Sequence, residues 1–266
     1  MANEDSVTAT GLSRGFPPDR AALVVYLMAG YPDRATSLES LRAAADAGAD
    51  VIELGVPYGD PLADGPVIAE AARVAREAGF GLAESIALAA GFVAEASAGG
   101  PPVALMTYLN PLMRMGPPRA AEAMRRAGVA GVIVPDMPPE AARPWLAASP
   151  GIDTVFLAAP TSTPERLAAL GSASAGFVYC VSTTGVTGER SELPAELAEL
   201  VARVKARTAL PVAVGFGVSE PGQAAAVARI ADGVVVGSAI VRRQGHPVNV
   251  GEFVAALAAA VREARG

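Results

Sequence analysis

The sequence has few of the residues on which common catalytic mechanisms depend. Among its 266 residues there is one histidine, His246, one cysteine, Cys180, and one lysine, Lys205. A single cysteine excludes an internal disulfide bond, and metal sites built from several cysteines or histidines are excluded as well. Lys205 lies in a helical pattern and is expected to point to solvent, whereas the Schiff-base lysine of an aldolase would lie on a buried strand. Carboxylates and tyrosines remain as the candidate acid–base groups.

The sequence also lacks long hydrophobic runs and an excess of basic residues. No stretch of 18 or more apolar residues runs without Gly, Pro or a charge, so no membrane-spanning helix is predicted. The first residues, MANEDSV, are acidic and do not resemble a secretory signal. The net charge of −6 argues against nucleic-acid binding, which requires a basic surface. We therefore expect a cytoplasmic protein.

What the sequence does contain is a regular alternation of short apolar runs and amphipathic stretches. This alternation is typical of strand–helix units around a parallel sheet, and eight such units predict a closed (β/α)₈ TIM barrel. An open, doubly wound sheet is the alternative that the alternation alone leaves possible. The length fits one barrel domain over residues 1–266, because such barrels have about 250 residues. The predicted strands are residues 22–29, 50–56, 102–108, 131–136, 154–160, 176–182, 211–217 and 233–237.

Four segments depart from the repeating unit. Residues 66–80 and 84–97 both have helical patterns, which predicts an extra helix after the second strand. Residues 1–18 are expected to form a loosely packed start and an extra N-terminal helix outside the barrel. Residues 183–194 are polar and contain two glycines, and a loop of this kind after a barrel strand is a candidate lid.

Three side chains are candidates for the chemistry. Glu53 interrupts a buried apolar strand, where desolvation should raise its pKa into the range that suits a general acid–base group. Asp64 follows in the loop VPYGDPLADGP, and Tyr179 could project into the barrel from the sixth strand. Each has a structural alternative: Glu53 could face a helix and pair with an arginine, Asp64 could begin a helix, and Tyr179 could be ordinary core. Asp60, in the same loop as Asp64, is either a turn residue or a partner contact.

Glycines at the ends of the last two predicted strands indicate a phosphate site. GFG at 215–217 closes the seventh strand and GSA at 237–239 closes the eighth. Glycines let backbone N–H groups approach an anion, and barrel enzymes frequently bind a phosphate group at this place. The alternative is that each glycine only makes a turn. The residues alone thus predict a phosphorylated small substrate that is cleaved or isomerised without a metal or a Schiff base.

The segment VIELGVPYGDPLADGP, residues 51–66, resembles the tryptophan synthase alpha subunit family, in which a strand glutamate is followed eleven residues later by a loop aspartate. This likeness implies a lyase that cleaves indole-3-glycerol phosphate to indole and glyceraldehyde 3-phosphate. It extends in order over nearly the whole chain. The other matching segments are YLMAGYPD at 26–33, MTYLNP at 106–111, VPDMP at 134–138, APTSTPERL at 159–167, STTGVTG at 182–188, VGFGVS at 214–219 and DGVVVGSAIV at 232–241.

The resemblance implies a role for each matching position. The catalytic glutamate of the family falls on Glu53, its indole-binding aspartate on Asp64, and a tyrosine near the reacting carbon on Tyr179. Thr187 matches the lid threonine that contacts the loop aspartate when the site closes. The other expected substrate contacts are the phosphate-binding residues Gly188, Gly217, Gly237 and Ser238 and the pocket residues Tyr26, Tyr108 and Phe216.

The resemblance also implies a partner. The family works as an α₂β₂ complex in which the beta subunit carries pyridoxal phosphate and receives indole through a tunnel. We therefore expect no cofactor on this chain and a beta subunit bound at the loop after the second strand and the region after the third. The residues expected to face that partner are Pro57, Asp60, Asn110 and Pro111.

Three positions depart from the family pattern. Gly59 stands where many relatives have Ser, Ala69 where some have Gln, and Tyr26 where some have Phe. None of them belongs to the acid–base pair, so they bear on the mobility of the loop and its partner contacts.

Other functions remain open from the sequence. One is a stand-alone lyase that has lost its partner. Another is a different phosphate-binding barrel, such as a sugar-phosphate isomerase or a yellow flavin enzyme. A third is a non-catalytic barrel that keeps the phosphate site, although such a protein has no need of a costly buried carboxylate.

Overall fold

A closed barrel of parallel strands forms the centre of the molecule. The computed structural model describes residues 11–61, 64–96, 99–181, 195–215 and 217–265. The strands are β1 Ala22–Met28, β2 Val51–Gly55, β3 Val103–Met106, β4 Gly131–Ile133, β5 Asp153–Val155, β6 Leu157–Ala158, β7 Val178–Val181, β8 Val212–Gly215 and β9 Gly233–Val236. They run in the order β5-β4-β3-β2-β1-β9-β8-β7-β6.

The two ends of this order belong to one stretch of chain. Only Phe156 separates β5 from β6, and its carbonyl oxygen accepts a hydrogen bond from the Tyr179 N–H at 3.1 Å. The segment therefore pairs with β4 through β5 and with β7 through β6. The predicted eight-stranded barrel is confirmed, with its fifth strand interrupted once, and the open sheet is excluded.

Successive side chains of a strand point to opposite faces of the sheet, and in this barrel both faces are buried. On β1, Leu23, Val25 and Leu27 point outward and belong to the large apolar cluster shared with the helices. Val24 points inward, into a smaller cluster at the barrel centre that includes Val51 on β2. This double burial explains why strands such as β1 and β9 have continuous apolar sequences.

Helices cover the outside of the barrel and connect its strands. Both helices predicted after the second strand are present, as α2 and α3. The short α4, which the sequence analysis did not predict, follows β3. The helices are α1 Arg34–Asp46, α2 Pro66–Glu77, α3 Leu82–Glu95, α4 Leu109–Met115, α5 Pro117–Arg126, α6 Arg143–Ala148, α7 Pro164–Ala173, α8 Ala195–Lys205, α9 Pro221–Ala228, α10 Ser238–Val241 and α11 Pro247–Glu263.

The N-terminal helix is a 3₁₀ helix, Gly11–Gly15. Leu12 is fully buried and belongs to the cluster at the barrel centre. Its backbone N–H donates a hydrogen bond of 2.7 Å to Asp153 Oδ2 at the start of β5. The predicted extra N-terminal helix is therefore present, and it closes the end of the barrel where the strands begin. Residues 1–10, the rest of the predicted loosely packed start, lie outside the described residues.

The scarce basic residues lie away from the barrel interior. Lys205 ends α8, and its Nζ lies 2.7 Å from Asp232 Oδ1, so it is ion-paired as well as partly exposed. His246 is exposed at the start of α11. Among the described residues no single helix is long and apolar enough to cross a membrane; α2 and α3 meet that requirement only as a pair, and they are bent by 96°.

Candidate active site

Glu53 lies in the middle of β2 with its side chain in the barrel interior. It is 1% exposed, and it interacts electrostatically with Tyr26 on β1 and Tyr179 on β7. Only the interior of a barrel brings these three strands together, so the alternative that Glu53 faces a helix is wrong. Within the described ranges, Glu53 Oε2 has no hydrogen-bond partner. Burial, with a smaller contribution from the Asp64 charge, raises the pKa of Glu53 to about 8.

Asp64 reaches the same interior from the loop that leads into α2. The N-terminal cap of α2 is Gly65, which shows that Asp64 does not serve as the capping residue. Its carboxylate instead accepts a hydrogen bond from the Tyr108 hydroxyl. Burial raises the pKa of Asp64 to about 6, and the bond from Tyr108 partly opposes that rise.

The two carboxyl groups hold different protonation states near neutral pH. With pKa values of about 8 for Glu53 and about 6 for Asp64, the glutamate is protonated and the aspartate is ionised at pH 7. Two interacting carboxyl groups titrate as a pair, and the more buried member keeps the proton. The site therefore offers one proton donor and one fixed negative charge.

The raised pKa of Glu53 predicts a pH-dependent stability difference between the protein and Glu53→Gln. The folded chain holds a proton on Glu53 that the unfolded chain releases above its ordinary pKa of 4.5. The protein should therefore lose stability as pH rises from 4.5 to about 8, by up to about 1.4 kcal/mol per pH unit, while Glu53→Gln lacks this loss. Urea unfolding of both proteins at pH 5 and pH 8 measures the difference; parallel pH dependences would contradict it.

Two tyrosine hydroxyls lie over glycines on neighbouring strands. A Cβ atom at Gly55 on β2 would overlap the Tyr26 hydroxyl, and one at Gly215 on β8 would lie 2.5 Å from the Tyr179 hydroxyl. Gly215 belongs to the segment predicted to bind phosphate, but it lies beneath Tyr179. Gly55 was not predicted as a site residue, although a glycine inside an apolar strand often marks the close approach of another group.

Gly215→Ala is expected to displace Tyr179 and lower kcat/KM for the family reaction by about 10- to 100-fold, because small misplacements of reacting groups are costly. The measurement is steady-state kinetics with a thermal melt. Gly91→Ala is the matched control, since Gly91 lies in α3 with open space around its Cβ position. Wild-type kinetics in a folded Gly215→Ala variant would show that the position of Tyr179 is unimportant.

The predicted phosphate site lies where β8 and β9 end. Gly217 follows β8 with φ of +64°, a backbone conformation that favours glycine. Gly237 follows β9, and α10 begins directly at Ser238, where the first N–H groups of a helix have no partner within it. Because β8 and β9 are parallel neighbours, these backbone groups lie at the same end of the barrel.

Three predicted site residues lie outside the described residues. They are Thr187, Gly188 and Phe216. The predicted lid, residues 183–194, lies there too. The described part of the chain contains no group of three or more His, Cys, Asp or Glu side chains arranged to hold a metal ion.

Comparison with known proteins identifies the family of this chain. A family model described as tryptophan synthase alpha chain matches residues 14–264. The tryptophan synthase alpha chain of Mycobacterium tuberculosis is 48% identical over 225 residues, which cover 84% of this chain and 82% of that protein. That of Mycobacterium ulcerans is 44% identical over 248 residues, covering 92% and 91%.

The chain belongs to the tryptophan synthase alpha chain family.

Solved structures agree with this membership. Tryptophan synthase from M. tuberculosis superposes with a TM-score of 0.88 and 43% identity, over 96% of this chain and 99% of that one. A mutant tryptophan synthase alpha subunit from Pyrococcus furiosus gives a TM-score of 0.79 and 36% identity, over 90% and 98%. The predicted family, barrel fold and carbon–carbon lyase activity, the cleavage of indole-3-glycerol phosphate, are thereby confirmed.

The four residues predicted to face the family's beta subunit line a single groove. Pro57 and Asp60 come from the loop after β2, and Asn110 and Pro111 from the start of α4. The groove has a volume of about 570 Å³. The structure therefore brings these residues together at one groove, where Asp60 and Asn110 are exposed, Pro111 is partly exposed and Pro57 is buried.

One departure from the tryptophan synthase alpha family pattern has a structural consequence. A Cβ atom at Gly59 would lie 2.8 Å from Nη1 of Arg76, a residue of α2. The Ser of relatives would therefore require Arg76 to move. The glycine allows the guanidinium to lie directly against the loop.

Proposed function

We propose that Glu53 and Asp64 carry out the retro-aldol cleavage of indole-3-glycerol phosphate in this chain. The observation that supports this most is the pair itself, in which a protonated glutamate and an ionised aspartate share one barrel interior. A protonated carboxylic acid can donate to carbon, while an ionised carboxylate can stabilise a nearby cation. The reaction requires both.

The first step is protonation of the indole ring at C3 by the Glu53 carboxyl group. This step places a positive charge on the ring nitrogen. The newly formed Glu53 carboxylate then accepts the proton of the glycerol hydroxyl on the carbon attached to C3. As that hydroxyl becomes the aldehyde, the bond between the two carbons breaks and its electron pair returns to the ring. Indole and glyceraldehyde 3-phosphate leave, and Glu53 is protonated again.

Asp64 stabilises the charge that develops during the first step. Its carboxylate accepts a hydrogen bond from the indole N–H, and this bond strengthens as the nitrogen becomes positive. The pKa of Asp64 of about 6 leaves the carboxylate ionised at pH 7. Its negative charge is fixed before the reaction begins, so little reorganisation is needed.

The remaining residues bind the two ends of the substrate. Tyr26 and Tyr108 are both 4% exposed, and they line the indole end of the pocket beside the two carboxyl groups. Tyr179 faces Glu53. Gly217, Gly237 and Ser238 receive the phosphate. Thr187, Gly188 and Phe216 complete these contacts by their match to the family motif.

The partner belongs to the same proposal. We assign to the groove of Pro57, Asp60, Asn110 and Pro111 a tryptophan synthase beta subunit, in an α₂β₂ complex that receives the indole. Pyridoxal phosphate would be held by that subunit. In this chain the lysine Nζ that such a cofactor would use is paired with Asp232 outside the barrel. A cytoplasmic location remains a prediction.

Indole release from indole-3-glycerol phosphate, measured with and without a tryptophan synthase beta subunit, tests the proposal. We expect slow release by the chain alone and a large increase when the beta subunit is added. Equal rates in both conditions would support a stand-alone lyase, and a failure to release indole in either would overturn the assignment.

A further inference from the structure

A stacked pair of tyrosines connects the surface groove to Asp64. Tyr58, in the loop after β2, and Tyr108, before α4, have ring centroids 4.9 Å apart and an interplanar angle of 26°. Offset stacking of this kind favours one relative position of the two rings. Tyr108 is 4% exposed, while Tyr58 is partly exposed at the groove.

Each tyrosine is held at its hydroxyl end by a different contact. The Asn110 Nδ2 group donates a hydrogen bond of 3.2 Å to the Tyr58 hydroxyl oxygen. On the inner side, the Tyr108 hydroxyl donates to the Asp64 carboxylate. The contacts thus run in sequence from Asn110 at the surface, through the stacked rings, to Asp64 in the barrel.

We propose that Tyr58 and Tyr108 are positioning residues, which hold the Asp64 carboxylate in its ionised, substrate-ready state through the stack and the Tyr108 hydroxyl. This inference rests on the proposed function of Asp64. It assigns Tyr108 a task beyond lining the pocket, and it gives Tyr58, which the sequence analysis did not single out, a role in the same reaction.

The surroundings of Asp64 show why a donor is needed there. Its carboxylate interacts electrostatically with Glu53 from β2 and Tyr26 from β1, and neither group is a cation that would favour its ionised form. Burial of a carboxylate favours its protonated form, and a hydrogen bond to the charged form opposes this. Tyr108 supplies that bond, and the bond depends on where the Tyr108 ring is held.

Three substitutions separate the parts of this arrangement. Tyr108→Phe removes the bond to Asp64 and keeps the stack. Tyr58→Leu removes the stack, while Tyr58→Phe keeps it and removes only the bond from Asn110. Tyr31→Phe serves as the control, because Tyr31 lies in the loop after β1 and outside this sequence of contacts.

The direct readout is the titration of Asp64 itself. In the full chain labelled with ¹³C at aspartate carboxyls, the Asp64 signal is assigned by its loss in Asp64→Asn. We expect Tyr108→Phe to raise the Asp64 pKa by about one unit. Tyr58→Leu should raise it in the same direction by less, and Tyr58→Phe and Tyr31→Phe should leave it near that of the wild type.

The kinetic readout follows from the same shift. A one-unit rise in the pKa of Asp64 lowers its ionised fraction about fivefold at pH 6 and about twofold at pH 7. The loss of kcat/KM in Tyr108→Phe should therefore shrink as pH rises. A loss that is equal at every pH, with an unchanged Asp64 titration, would show a merely structural role and overturn the inference. The titration tests the role of the two tyrosines even if the wild-type chain fails to cleave indole-3-glycerol phosphate. A failure of this inference can therefore be distinguished from a failure of the proposed function.

Discussion

Glu53→Gln is expected to lower kcat for indole release by about 10²- to 10⁴-fold, the usual contribution of a positioned acid–base group. Glutamine keeps the size and polarity of the side chain but has no proton to give at neutral pH. Substrate affinity should change little, because the substitution removes a group that acts in the transition state. The measurement is steady-state kinetics with the beta subunit present, where we expect the wild-type rate to be highest.

The matched control is Glu39→Gln, the same substitution at an exposed position of α1. It should leave kcat unchanged. A folded Glu53→Gln protein that keeps most of the wild-type kcat would remove Glu53 from the mechanism.

Asp64→Asn is expected to lower kcat by about 10²- to 10³-fold, as the loss of one electrostatic stabiliser does in other enzymes. The amide oxygen can still accept the indole N–H, so the substrate should bind with a similar KM. What is lost is the negative charge that opposes the cation on the ring. The measurement is kcat and KM of the variant at pH 7.

Asp46→Asn, at an exposed position near the end of α1, is the control for this change. An Asp64→Asn variant with a raised KM and an unchanged kcat would show that Asp64 only binds the ground state.

The barrel could be predicted from the sequence because its strands are buried on both faces. Runs such as residues 22–29 and 233–237 are apolar without alternation. This pattern is typical of strands that are covered by helices on one face and by the barrel interior on the other. The packing of the N-terminal helix against the end of the barrel could not be predicted, for a related reason. One apolar residue, Leu12, determines its position, and its contact with Asp153 joins residues far apart in sequence.

The site could be predicted in part. A glutamate within an apolar strand is costly enough to indicate function from one position, and the structure places Glu53 as expected. Asp64 alone resembled a helix start, and only the resemblance to the family singled it out. Tyr58 and Gly55 escaped notice because their roles depend on neighbours, Tyr108 and Tyr26, that local sequence patterns do not reveal.

The pH dependence of kcat/KM for indole-3-glycerol phosphate cleavage tests the central claim most directly, since that profile reports the ionisations of the free enzyme. We predict a bell shape that rises with an apparent pKa near 6, as Asp64 ionises, and falls with one near 8, as Glu53 loses its proton. A profile that is flat between pH 5 and pH 9, or that keeps rising above pH 8, would contradict the assignment of a protonated glutamate and an ionised aspartate to this reaction.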